Sequence, residues 1–184
     1  MSRPDVVRFS VLAGIVAIVV LLPWLGRPVA LVLTLAILGR CAFELYGSLR
    51  TPSPGFRTAV CFVYMTLGTA FLCFAIVLSL RSISYVCLIV IAFSLRRYVP
   101  RIGLIGGAGA ALALAVAARG GLGLVGALEA WVSITAAALA GSMVASWVRY
   151  KGGIKGFGRS GSAGILDYFD GFLFAAPVAL ALLS

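Results

Sequence analysis

The sequence predicts an all-α protein: a polytopic transmembrane helix bundle of about seven spans with its amino terminus in the cytoplasm. Three observations predict it. Hydrophobic residues fill 62% of the 184 positions and charged residues only 11%, against about 25% charged in soluble globular chains. The apolar residues arrive in blocks bounded by charges or Gly/Pro clusters, and about 20 apolar residues cross the hydrocarbon of a bilayer as a helix. The basic residues, finally, collect in alternate gaps between the blocks.

The first block, near 9–26, follows Arg3 and Arg8. A secretory signal begins in the same way, but Pro23-Trp24-Leu25-Gly26-Arg27 lacks a small-x-small cleavage site, so the block reads as a retained span. The second, near 28–47, carries Arg40 and Glu44 four residues apart on one face, which suits a structural ion pair. The third lies near 58–80. The fourth, near 82–95, is short for a crossing and is expected to be tilted, broken or re-entrant.

The fifth block, near 102–118, places Gly103, Gly107, Ala111 and Ala115 at i+4 intervals, and the sixth, near 121–148, does the same with Ala137, Gly141 and Ala145. Such stripes let membrane helices approach closely. The sixth is long enough to extend a turn or two into the cytoplasm. Its Glu129 has only Arg119 as an obvious counter-charge, so a polar packing contact and a functional site both stay open. The seventh span lies near 165–183.

Threading the spans alternately puts Arg3, Arg8, Arg50, Arg57, Arg96, Arg97, Arg101, Arg149, Lys151, Lys155 and Arg159 on one side, and Arg27, Arg81 and Arg119 on the other. Cytoplasmic loops are the basic ones, so the large loops face the cytoplasm and the carboxyl terminus lies outside, as expected of a protein in a bacterial inner membrane. The same bias accounts for the net charge of +10 without a nucleic-acid partner.

The chain contains no histidine, which excludes Ser/His/Asp hydrolysis and His-ligated zinc or haem. Cys41, Cys61, Cys73 and Cys87 lie inside apolar blocks without metal-ligand or C-x-x-C spacing, and read as small buried residues. Any chemistry must then use carboxylates, Lys/Arg, hydroxyls or a metal held by oxygen.

Within this single domain, 1–184, the residues with chemical potential gather at 146–170. Four basic residues, Arg149, Lys151, Lys155 and Arg159, and six glycines lead into Asp167 and Asp170. Glycines let backbone N–H groups converge on phosphate oxygens, and the cations supply charge. Asp167 and Asp170 are three apart, so they share a face in the first turns of a helix starting near Gly164. At a membrane interface that pair could hold Mg2+, which takes one or two carboxylates and completes its shell with water and substrate phosphates. A plainer reading stands beside this one: basic loops follow from topology, and Asp near a helix start is favoured by capping and the dipole.

At these residues the sequence resembles the phosphatidate cytidylyltransferase (CDP-diacylglycerol synthase) family, whose signature runs approximately S-x-x-K-R-x4-K-D-x-G, then H-G-G-x-x-D-R-x-D. Ser146, Arg149 in place of Lys, Lys155 and Gly158 keep the spacing; Gly164, Asp167 and Asp170 follow a slightly shorter loop, and Ala175-Ala176-Pro177-Val178 is similar to the family's final helix. The match runs from Gly141 onward. Upstream it weakens to Arg27-Pro28 and Glu44-Leu45-Tyr46 in a hydrophobic pattern, and the chain is short for the family.

The resemblance implies transfer of CMP from CTP to phosphatidate, giving CDP-diacylglycerol and pyrophosphate in phospholipid biosynthesis. It implies Asp167, Asp170 and Lys155 as catalytic residues, Mg2+ on Asp167 and Asp170, and phosphate contacts from Arg149, Lys155, Arg159 and Ser146. CTP, phosphatidate and membrane lipid would be the partners, and a homodimer is compatible. Departures from the pattern put catalysis in question: Ser142, Ala145 and Gly156 stand where the family has acids, Ser162-Ala163 replaces His-Gly, and Tyr168 replaces the arginine between the aspartates. A catalytically inactive relative acting as a membrane scaffold or lipid-binding subunit is the alternative.

Overall fold

The computed structural model describes Gly14 and residues 16–48, 53–98, 103–118, 122–153 and 165–183. In hydrocarbon every backbone N–H and C=O must be satisfied within the chain, and each apolar block accordingly forms a helix. In chain order these are α1 (Val16–Leu25), α2 (Arg27–Ser48), α3 (Pro54–Val77), α4 (Leu80–Tyr98), α5 (Gly103–Ala117), α6 (Leu124–Gly152) and α7 (Ile165–Leu183). No strand occurs among the described residues.

The breaks between helices have local causes. Gly26 adopts a left-handed φ of 83° between α1 and α2, a conformation that L side chains resist. Pro54 opens α3 at a position where the missing N–H costs nothing. Gly153, at φ 63°, closes α6 by donating its N–H to the carbonyls of Arg149 and Tyr150.

The α2, α3 and α6 helices are long and apolar enough to cross a membrane, whereas α1, α4, α5 and α7 contain shorter apolar stretches. Only 28%, 28% and 33% of the apolar windows in α2, α3 and α6 are buried, so most of their apolar surface faces outward. Phe62, Met65, Val125 and Met143 are examples of large apolar side chains left exposed. The threonines on α3 hide their polarity: Thr58, Thr66 and Thr69 return their hydroxyls to the carbonyls of Pro54, Phe62 and Met65, each at 3.0 Å. These features are compatible with a surface that faces lipid.

Two of the shorter helices, α4 and α7, are interior. The fourth block, expected to be tilted, broken or re-entrant, is one uninterrupted helix whose Ile83, Tyr85, Val86, Ile89, Val90, Ala92 and Phe93 are all buried. A helix apolar on every side is an interior helix, and α4 contacts α3, α5, α6 and α7. The α7 helix is similarly enclosed, touching α2, α3, α4 and α6. At 29 residues α6 measures about 44 Å, longer than a hydrocarbon core of about 30 Å.

The small-residue stripes meet neighbours closely. Gly107, Ala111 and Ala115 are the buried residues of α5, and the Tyr85 hydroxyl on α4 donates to the Ala115 carbonyl at 3.0 Å. Trp131 Nε1 on α6 donates to the Ala108 carbonyl at 3.0 Å, and Ser84 Oγ ties α4 to the Val19 carbonyl of α1 at 2.9 Å. Gly103 lies at the exposed start of α5 and does not join its stripe.

Candidate functional site at the basic end of the bundle

The last turns of α6 and the first turns of α7 meet through glycine. A Cβ on Gly141 would lie 2.6 Å from the backbone oxygen of Asp170 and 3.0 Å from the Phe174 ring. Only a hydrogen fits there, and the two backbones close to contact distance as a result. That contact sets the depth of Asp170, which has no exposure at all. Its Oδ1 accepts the N–H of Gly171 at 2.6 Å.

Arg149, near the end of α6, reaches Asp167 in the first turn of α7. One guanidinium nitrogen pairs with Asp167 Oδ1, and the other donates to Ser146 Oγ at 3.0 Å. Ser146 in turn donates to the Ser142 carbonyl one turn back, at 2.8 Å. The side chains of Arg149 and Asp167 keep 25% and 9% of their exposure. Thus Ser146, Arg149, Asp167 and Asp170, four of the residues picked from the sequence, come together across the α6–α7 contact. Lys155 and Arg159 lie outside the described residues.

Two contributors were not anticipated. The Arg40–Glu44 pair forms as expected, Nε to Oε1 at 3.0 Å. Glu44 also has a second role: its other oxygen accepts the N–H of Leu166 at 3.0 Å, across 122 residues of sequence. The first N–H groups of a helix have no partner inside it, and Glu44, its side chain 4% exposed, caps α7 from α2 immediately before Asp167. The other contributor is Tyr64 on α3, whose buried hydroxyl has no hydrogen-bond partner and lies within electrostatic reach of Asp170, Arg149 and Asp167. A tyrosine inside an apolar block carries no sequence signal that separates it from core. Glu129, left open by the sequence, is exposed on α6, two turns into the helix and far along it from Arg149.

Positive charge surrounds this end. The Phe56 ring at the start of α3 packs on Trp147 of α6 at 5.6 Å between centroids, which brings Arg57 to the same end as Arg149 and the exposed Lys151. Arg57 stacks over Tyr46 at 5.0 Å, and Arg40 over Phe43 at 5.6 Å. Planar guanidinium groups held on aromatic faces suit phosphate recognition.

Asp167 already stabilises a cation, the Arg149 guanidinium. Its carboxylate and that of Asp170 are hard oxygen donors of the kind Mg2+ takes, with Asp167 engaged by Arg149 and Asp170 enclosed with its Oδ1 on the Gly171 N–H. No group of three Asp, Glu or Cys able to hold a metal occurs among the described residues. No protein-family model, curated protein or solved structure matches the chain.

Proposed function

We propose that the chain is a seven-span protein of a bacterial inner membrane, amino terminus and basic end cytoplasmic, acting as a phosphatidate cytidylyltransferase-like enzyme. The observation that carries this reading is the convergence of Ser146, Arg149, Asp167 and Asp170 at the end of the bundle where Arg40, Arg57 and Lys151 also lie. A soluble nucleotide arrives from water and a lipid headgroup from the bilayer, and this is where both could be held. With an odd number of crossings the carboxyl terminus lies on the outer face.

In the proposed reaction a phosphate oxygen of phosphatidate attacks the α-phosphorus of CTP. A new P–O bond forms, the bond to the β-phosphate oxygen breaks, and pyrophosphate leaves with that electron pair. Transfers of this type depend mainly on positioning and on neutralising phosphate charge. Mg2+ held by Asp167 and Asp170 would supply charge neutralisation at the phosphates. Arg149, on the same carboxylate, would meet a phosphate oxygen with its planar fork, with Ser146 orienting it. Lys155 and Arg159 would add cationic contacts from the glycine-rich segment, and Glu44 fixes the first turn of α7, where Asp167 stands one turn before Asp170.

A second reading has its own support. Asp170 is fully enclosed, Asp167 is engaged by Arg149, and the family's further acids are replaced by Ser142, Ala145 and Gly156. These features suit a non-catalytic relative that binds lipid or serves as a membrane scaffold. The two are separated by purified protein in vesicles with labelled CTP, phosphatidate and a panel of divalent metals. Labelled CDP-lipid above an Asp170→Asn background supports the enzyme; none with any metal leaves the scaffold.

A further inference from the structure

A groove of about 460 Å3 runs between α2, α3 and α7, within the range of about 300–1,000 Å3 usual for ligand sites. Its walls are almost wholly apolar. Tyr46 and Met65, 56% and 73% exposed, line its open side, and Met65 lies on a helix long enough to cross a membrane. Thr69 turns its hydroxyl back to its own helix, as noted. The groove thus opens laterally, where hydrocarbon would be.

Three features make it more than an apolar face. Arg57 lies two turns before Tyr64 on α3, and its guanidinium rests on the Tyr46 ring that lines the groove, placing a cation at the mouth. Tyr64 lines the groove, and its hydroxyl is buried without a hydrogen-bond partner, a costly state. Leu166 forms the wall at the α7 end, and the next residue is Asp167. From the basic mouth, then, the groove descends past Tyr64 into an apolar slot beside the candidate site.

We propose that this groove holds one acyl chain of an anionic glycerophospholipid, its phosphate at Arg57 and its ester oxygens at the depth of Tyr64. The inference rests on reading this end of the bundle as the membrane–water interface, and it does not require turnover.

The test uses the full chain in phosphatidylcholine vesicles with a small fraction of phosphatidate bearing a photoreactive diazirine on its acyl chain, and maps adducts by mass spectrometry. Adducts are expected within 38–46 and 61–72, competed by unlabelled phosphatidate and not by phosphatidylcholine. Arg57→Gln should lower them about fivefold, the loss expected for one interfacial cation on an anionic lipid. A Cβ at Gly68 meets only Leu38 Cδ2, at 3.4 Å, so Gly68→Leu should fill the groove and remove the adducts. Phe62→Leu, on the exposed face of the same helix, should leave them unchanged.

Equal labelling by a phosphatidylcholine probe, or adducts undiminished in both Arg57→Gln and Gly68→Leu, would overturn the proposal. Adducts without CMP transfer would sink the enzyme reading alone, and transfer without adducts the groove alone.

Discussion

At the scale of single residues, the site is a set of buried charges held by named partners. Removing one member of a buried pair leaves the other uncompensated, at a cost of about 3–5 kcal/mol, whereas replacing both with apolar groups is often tolerated. Arg149→Ala should therefore lower thermal stability in detergent by several degrees, and Arg149→Met with Asp167→Leu should recover most of it. Equal losses in both would mean the pair contributes nothing specific. Glu44 gives a second contrast. Glu44→Ala strands the buried Leu166 N–H at about 1–3 kcal/mol; Glu44→Gln keeps an acceptor and should cost less than half as much in the same melting experiment.

The same residues show what sequence could and could not reveal. Asp167, Asp170, Arg149 and Ser146 were legible because charged and hydroxyl groups beside an apolar block are few and their spacing is local. The Arg149–Asp167 pair was not, because 18 residues of glycine-rich chain separate its members. Glu44 was legible only as the partner of Arg40; its bond to Leu166 is a property of packing between α2 and α7. Tyr64 looks like any other aromatic in a span until its hydroxyl is found without an acceptor.

At the scale of elements, helix positions followed from the apolar blocks, since a membrane helix must be apolar over its length and its breaks need Gly, Pro or charge. What the blocks hid was which helices are enclosed. The fourth block is short, and α4 lies packed among α3, α5, α6 and α7 with its middle turns buried. The stripe through Gly141 and Ala145 announced close packing, and the Asp170 backbone is what it packs against. Gly141→Ala must push α7 away from α6 and should destabilise by about 1–3 kcal/mol. Thr66→Val, which removes only a hydroxyl bonded within its own helix, should stay within about 0.5 kcal/mol. Urea or thermal unfolding in detergent compares the two.

At the scale of the whole molecule, the structure gathers positive charge at one end of the bundle and leaves the long outer helices apolar toward their surroundings. Under the proposed topology the amino terminus and the α6–α7 connection share one side. A reporter fused to the carboxyl terminus should be active only outside the cytoplasm, and one fused after Lys151 only inside; the reverse pair of results would invert the bundle.

The claim on which the account turns is that this basic end performs CMP transfer through the two aspartates of α7. The most direct measurement is the initial rate of CDP-diacylglycerol formation from CTP and phosphatidate in vesicles, with Mg2+, for the native chain and for Asp167→Asn and Asp170→Asn. A phosphatidate-dependent rate is expected that falls about 100-fold or more in each variant, the scale of losing one electrostatic contact to the transition state. A native rate indistinguishable from both variants, in protein that is folded and monodisperse, would contradict it.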